Sequence, residues 1–273
     1  MKFFNTFSPR RARVLGHLNP LKINEWDIFP ARIYFMRHAE SMGNQDPDAY
    51  RNTHDTEIGL TANGVVQADA AAQFLKDELL HMADEIGRPI RVGILHSPYV
   101  RVIETRDIMA NVLLGCDGIN LETIKEDLHL IEKQFGSAAR FPTQEEYDNH
   151  YRDALQDHDF IPEFYRDMPG DIESYRNLCL RVRGAVNNIF RFATHDILDV
   201  VLVISHSQLL RAMEKEYHWR DQQAFDQIPK PKNASIRSVD RVIYYDPARA
   251  PGNPELCDRI KSFNNGVVFE PGK

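Results

Sequence analysis

Apolar positions in this chain gather in short continuous runs separated by longer stretches with helical spacing. Ile33-Tyr34-Phe35-Met36, residues 90–95 and Val200-Val201-Leu202-Val203-Ile204 are rich in branched and aromatic side chains, and each run predicts a buried strand. After the first run, Thr61 precedes Val65, Ala68, Ala72 and Leu75 at helical spacing, which predicts a helix over 60–80 capped by Thr61. Ser97-Pro98 opens a second helix running to about Leu114; proline is tolerated in a first turn because its missing N–H has no partner there. Residues 172–193 carry a third helical pattern. A short strand is expected within 121–131, leading to Ile131-Glu132, and Arg241-Val242-Ile243-Tyr244-Tyr245 reads as a late strand. This alternation predicts an α/β fold, a three-layer α/β/α sandwich around a mostly parallel sheet. No internal repeat or low-complexity segment interrupts it.

Two segments depart from that pattern. Residues 133–170 interleave seven aromatics (Phe135, Phe141, Tyr147, Tyr151, Phe160, Phe164, Tyr165) with acids, and Pro142, Pro162 and Pro169 break the run. They read as a helical insertion over the active-site edge of the sheet, its aromatics packing it down, within a single domain spanning 31–273. Residues 1–30 read as a basic arm. The stretch 1–24 has no acidic residue but carries Lys2, Arg10, Arg11, Arg13 and Lys22. An arm that packs on the domain or contacts a partner is favoured over a cleaved transit peptide, because Pro9 and Pro20 interrupt any amphipathic helix.

Charge and cysteine content narrow the function classes. The 273 residues hold 33 Lys and Arg against 40 Asp and Glu, a net charge of −7. That excludes a generally basic nucleic-acid coat, whose binding rests on phosphate neutralisation. No apolar run approaches the roughly 20 residues of a membrane-spanning helix, so a soluble chain without a membrane partner is expected. Cys116, Cys179 and Cys257 form no Cys-x-x-Cys pair, and three isolated thiols suit a reducing, cytoplasmic location. Asn233-Ala234-Ser235 matches a glycosylation sequon, which in such a setting goes unused. Whether the chain pairs with copies of itself is not legible.

The chemistry gathers at strand ends. The first apolar run is followed by Arg37-His38-Ala39-Glu40-Ser41 and the central one by Ser205-His206-Ser207. Ligands of open α/β sheets bind beyond the carboxyl ends of strands, so both histidines are delivered to one edge. If the strand of residues 90–95 is parallel to these two, it ends at the same edge, and Arg101 lies one turn into its helix. Two histidines and two arginines make a pocket for a tetrahedral dianion, since the guanidinium fork matches phosphate oxygens. A single histidine after a strand is more often structural, and His96 is given that reading.

The order of these pieces resembles the histidine phosphatase superfamily, the phosphoglycerate-mutase-like proteins. The resemblance runs over about residues 31–245. It rests on RHAESMGN at 37–44, LTANGVVQA at 60–68, SPYVRVIET at 97–105, EKQFG at 132–136 and VLVISHSQLLR at 201–211. GNQDPDAY, DTEIGLT and PGDIESYRNLCLRV are similar to the small phosphoglycerate-mutase-like branch of plants, fungi and bacteria. The resemblance implies that His38 is the nucleophile and that Arg37, Arg101 and His206 bind the phosphoryl oxygens, with Asn44 a further phosphate contact. It implies that Glu132 protonates the leaving oxygen and then activates water; Glu122 and Glu126 lie nearby, and the aromatic-glycine pair after Glu132 favours it over them. Neither a metal nor another cofactor is expected. Two positions depart from the family pattern: Ala39 and Ser207 stand where it has glycine. Ala39 is tolerated only if its φ is negative.

The function expected is therefore a metal-independent phosphomonoester hydrolase acting through a phosphohistidine on a small phosphorylated metabolite. A phosphoglycerate mutase would use the same site, but the insertion sets four basic residues (Lys133, Arg140, Arg152, Arg166) against eight acids, a poor partner for a multiply anionic ligand. A pseudo-phosphatase that binds a phosphorylated ligand or a protein partner is the alternative from another class. Retention of His38, Arg37, Arg101, Glu132 and His206 weighs against it.

Overall fold

The computed structural model describes residues 32–46, 48–134, 145–146, 173–218, 228–240, 243–245, 258–260 and 266–271. The expected basic arm at 1–30 and nearly all of the expected insertion at 133–170 lie outside these residues.

Strands β1 (Arg32–Arg37), β2 (Ile90–His96), β3 (Ile119–Glu126) and β4 (Val200–Ser205) are mutually parallel. With β5 (Ile236–Asp240) and β8 (Gly266–Phe269) they form a six-stranded sheet in the order β3-β2-β4-β1-β5-β8. Only β5 runs against its neighbours, β1 and β8. A separate ribbon pairs β6 (Ile243–Tyr245) with β7 (Asp258–Ile260).

Alternation along the strands divides the core in two. Tyr34, Met36, Ile94, Leu202 and Ile204 face helices α1 (Ala62–Ile86) and α2 (Val100–Leu113). Ile33, Phe35, Leu95, Val201 and Val203 face α3 (Tyr175–Asp196) and α4 (Ser207–His218). Every residue of β4 is buried. Sequestering a Val, Leu or Ile side chain stabilises by about 1.5–3 kcal/mol, so both faces of this strand anchor the sheet.

The caps follow local chemistry. Thr61 Oγ1 accepts from Gly64 N at 2.9 Å to start α1, which ends at Gly87 in the left-handed region at φ 73°. Ser174 accepts from Asn177 N at 3.1 Å to start α3.

The sandwich agrees with expectation, and several boundaries move. Helix α1 runs on to Ile86 and buries Ala68, Ala71, Ala72, Leu75 and Leu79, whereas Val65 is 48% exposed and off the inward stripe. Helix α2 begins at Val100, two residues past Pro98, with Tyr99 as its N-cap. Of the late strand expected at 241–245, Ile243–Tyr245 is β6 in the separate ribbon, whereas β5, which joins the main sheet, was not anticipated. β5 reads Ile236-Arg237-Ser238-Val239-Asp240, polar at three of five positions, so it lacks the continuous apolar run that drew attention to Ile243-Tyr244-Tyr245. The chain beyond 245 also supplies β7 and the edge strand β8.

Candidate active site

β1 and β4 are neighbours in register, Arg37 opposite Ser205, so the residues after them meet at one carboxyl edge. The rings of His38 and His206 lie 5.2 Å apart, edge to face. Both are buried, at 3% and 0% exposure. His38 Nδ1 is 2.8 Å from the Ala39 carbonyl oxygen. A carbonyl only accepts, so the proton sits on Nδ1 and the lone pair on Nε2. His206 Nε2 is 2.8 Å from Ser97 Oγ, while its Nδ1 has no partner among the described residues. Burial, and after it the charge of Arg101, holds both imidazoles well below the ordinary histidine range. Both are neutral at neutral pH.

Arg101 is 3% exposed and donates through Nη1 to the Asp55 carbonyl at 2.6 Å, with the Asp55 carboxylate at 2.9 Å. Its guanidinium lies 4.9 Å from the centre of the Tyr99 ring. That ring in turn stands edge-on to His206 at 4.8 Å. Arg37 donates through Nη1 to the Pro231 carbonyl at 2.8 Å, and its buried Nε has no partner among the described residues.

Glu132 reaches the same edge from the loop after β3. Its Oε1 accepts from the backbone N–H of Lys133 at 2.8 Å, Gln208 at 3.2 Å and Leu209 at 3.3 Å. Those last two belong to the first turn of α4, whose N–H groups have no partner within the helix. Burial pushes the carboxyl up, and these N–H groups together with Arg101 and Arg37 oppose that rise without cancelling it. Glu122 instead pairs with Arg91 at 2.9 Å on the sheet, and Glu126 ends β3 exposed. Asn44 carries its Oδ1 toward Ser41 N at 3.2 Å and Ser41 Oγ at 3.1 Å. All six residues singled out in the sequence thus have defined places, five of them coupled by burial and charge at one sheet edge.

The motif residues around them act as braces. The Ala39 N–H donates to Thr105 Oγ1 at 3.2 Å, and Glu40 N donates to Gln67 Oε1 at 3.0 Å. Thr61 Oγ1 donates to Glu40 Oε1 at 2.7 Å. A Cβ at Gly64 would stand 2.0 Å from the Glu40 carbonyl oxygen, so only glycine lets α1 begin this close to the His38 turn. Ala39 is absent from the positive-φ residues, which explains how it replaces glycine. Ser207 is accommodated as the first residue of α4, its buried Oγ without a partner among the described residues. His96 donates from Nδ1 to the Ser97 carbonyl at 2.9 Å and accepts from Arg106 at 3.0 Å, in keeping with a structural role.

Several groups escaped the sequence reading. Tyr50 packs on Gly43, where a Cβ would lie 2.6 Å from its ring. Burial raises its hydroxyl, which also feels Arg101, Asp55, Glu132 and Arg37. Burial likewise pushes the Tyr99 hydroxyl up to about 12. Arg181 donates to the carbonyls of His129 at 3.0 Å, Ile131 at 2.7 Å and Glu132 at 3.1 Å, and forks onto Glu173 at 2.9 and 2.6 Å. Only Glu173-Ser174 gave a signal, as a helix start. Among the described residues no group of three or more His, Cys, Asp and Glu side chains gathers as a metal ion requires. No described helix is long and apolar enough to cross a membrane.

Paired histidines and arginines with a buried carboxyl, on the edge of this α/β sheet, define a site suited to an anion. The histidine phosphatase superfamily (branch 1) matches residues 33–243, and the chain belongs to it. It is 34% identical to phosphoglycerate mutase-like protein AT74H of Arabidopsis thaliana over 116 residues, 42% of this chain and 40% of that one. It is 26% identical to protein AT74 of the same plant over 221 residues, 78% of this chain and 66% of that one. The chain therefore matches less than two thirds of either relative. Among solved structures, the mycobacterial glucosyl-3-phosphoglycerate phosphatase in complex with VO3 superposes with a TM-score of 0.55 at 18% identity. That match covers 79% of this chain and 93% of the other, and it supports the shared fold.

Proposed function

We propose that the chain is a phosphomonoester hydrolase working through a phosphohistidine on a small phosphorylated metabolite. The observation that carries this reading is the pair of packed, buried neutral imidazoles in the field of Arg101 and Arg37, one of them with its Nε2 lone pair uncommitted. Membership of the histidine phosphatase superfamily supports it.

In this reading His38 Nε2 attacks phosphorus in line with the leaving oxygen. As the N–P bond forms and the P–O bond breaks, the carboxyl of Glu132 gives its proton to the departing alkoxide. The raised carboxyl and the lowered imidazole meet opposite needs, since the acid must hold a proton at the pH where the nucleophile holds none. Arg37 and Arg101 balance the charge spread over the equatorial oxygens. Ser97 Oγ–H donates a hydrogen bond to His206 Nε2, so that the neutral ring carries its proton on Nδ1 and donates it as a hydrogen bond to a phosphoryl oxygen. Water then attacks phosphorus with Glu132 as base, which returns the imidazole and releases phosphate. The acidic balance of residues 133–170 favours a singly phosphorylated substrate over the multiply anionic ligands of a mutase.

The test is phosphate release from p-nitrophenyl phosphate between pH 5 and 8 with EDTA present, beside His38→Ala. Turnover that survives EDTA and falls at least about a thousandfold in the variant is expected. Activity retained by His38→Ala, or interconversion of 2- and 3-phosphoglycerate faster than hydrolysis, would overturn the assignment.

A further inference from the structure

The turn at 231–235, which leads into β5, touches the reacting loop at four points. The Pro231 carbonyl receives Arg37 Nη1 at 2.8 Å, and the Ser235 carbonyl receives the Arg37 N–H at 3.2 Å. The His38 carbonyl receives the Ala234 N–H at 3.2 Å and Asn233 Nδ2 at 3.4 Å. Asn233 Nδ2 also donates to Asn44 Oδ1 at 2.7 Å.

The Asn44 amide is oriented by this arrangement. Ser41 N–H can only donate, so the Asn44 atom it meets is the oxygen. With Ser41 Oγ and Asn233 Nδ2 on the same atom, that oxygen faces three donors. The NH2 end is left pointing away from them, and no described residue accepts from it. Backbone strain lies at the same turn. Ala234 has φ 56°, in the left-handed region that glycine favours, and its side chain is fully buried. Strain of this kind persists where surrounding contacts fix it, and it concentrates at functional sites.

We infer that Asn233 is a positioning residue: it holds the Asn44 amide with its NH2 toward the phosphate, and fixes the His38 carbonyl from the same atom. This rests on the phosphatase reading above. It also gives the Asn233-Ala234-Ser235 sequence a use other than glycosylation, since the nitrogen a glycan would occupy is spent on two hydrogen bonds beside the nucleophile.

The experiment uses the full chain with Asn233→Ala, Asn44→Ala, the double variant, Asn233→Asp and Ser235→Ala. Each is assayed for p-nitrophenyl phosphate turnover and for vanadate binding by calorimetry. Asn233→Ala and Asn44→Ala should each lower kcat/KM and vanadate affinity about tenfold, the scale of one hydrogen bond to a charged group. The double variant should be no more than about twofold worse than Asn44→Ala alone, because both remove one device. Asn233→Asp, nearly the same shape, should be worse than Asn233→Ala, since its carboxylate would face two carbonyl oxygens. Ser235→Ala abolishes the sequon, spares Asn233 and costs the turn only the bond from Ser235 Oγ to the Lys232 carbonyl, so it should lose less than Asn233→Ala does. If Asn233→Ala melts early, Asn233→Leu keeps the bulk without the donors and gives the same reading. Losses that multiply in the double variant, or an Asn233→Ala indistinguishable from wild type, would overturn the inference. A wild type that binds vanadate without turnover sinks the phosphatase reading alone, with the binding series still deciding on Asn233. One that neither binds nor turns over sinks both.

Discussion

His38 and Glu132 both stand within the field of Arg37 and Arg101 at one sheet edge and are held by unlike means. His38 follows β1 without a spacer. Its N–H donates to the Ser205 carbonyl at 2.9 Å, its ring to the next carbonyl, and Thr105 holds the N–H of Ala39. Glu132 sits six residues beyond β3 on an irregular loop. Its carboxylate is seated on the first turn of α4 and its carbonyl on Arg181, 49 residues further along the chain. His38, the proposed nucleophile, is fixed by strands and its own motif; Glu132, the proposed acid, is fixed by two helices that arrive later. On the proposed roles, such a site sets its reactive base rigidly and leaves its acid dependent on distant packing.

Variants can break that comparison. The largest effect belongs to the pocket shared by both sides. Arg101→Ala should lower kcat/KM about 100- to 1000-fold in a steady-state assay, the cost of one preorganised donor to developing charge. Glu132→Gln comes next, and its effect depends on the leaving group. An alkyl phosphate, whose alkoxide needs a proton, should lose about 100-fold or more. The first step on p-nitrophenyl phosphate, whose phenolate leaves unaided, should lose much less in a burst measurement. The pH profile carries the same signs. The raised Glu132 carboxyl gives the alkaline limb of kcat/KM for an alkyl ester, the lowered His38 imidazole gives the acid limb, and Glu132→Gln should remove the former.

Arg181→Met sharpens the contrast. It leaves every reacting group in place and removes three carbonyl contacts around Glu132. Alkyl ester turnover should fall about tenfold while the burst on p-nitrophenyl phosphate stays nearly unchanged. Equal losses on both substrates would mark a general loosening of the fold instead. The smallest effect is on stability. His38 and His206 resist protonation when folded but take up protons near pH 6.5 when unfolded, so the unfolded chain binds more protons below that pH. The melting temperature should therefore drop from pH 7 toward pH 5, and His206→Ala should flatten that slope.

The same asymmetry explains what was legible in the sequence. His38, Arg37, Arg101 and His206 each follow a buried apolar strand at fixed spacing, so their delivery to one edge could be read from strand order alone. Glu132 could be picked out only by its neighbours, because its partners Gln208, Leu209 and Arg181 leave no periodic trace near it. The late run at Ile243-Tyr244-Tyr245 was legible and is β6, whereas β5 was passed over because Arg237, Ser238 and Asp240 interrupt its apolar pattern. Asn233 matched a familiar acceptor motif and was read by that motif. Its contacts to His38 and Asn44 span 195 and 189 positions, beyond the reach of local pattern.

The most direct measurement is mass spectrometry of the enzyme quenched in alkali during turnover of p-nitrophenyl phosphate, with Glu132→Gln used to slow the hydrolysis step. A phosphoryl group on the peptide containing His38, more abundant in Glu132→Gln and absent from His38→Ala, is the expected result. Rapid turnover with no phosphoryl group on that peptide in either protein, or with the group on another residue, would contradict His38 as the nucleophile.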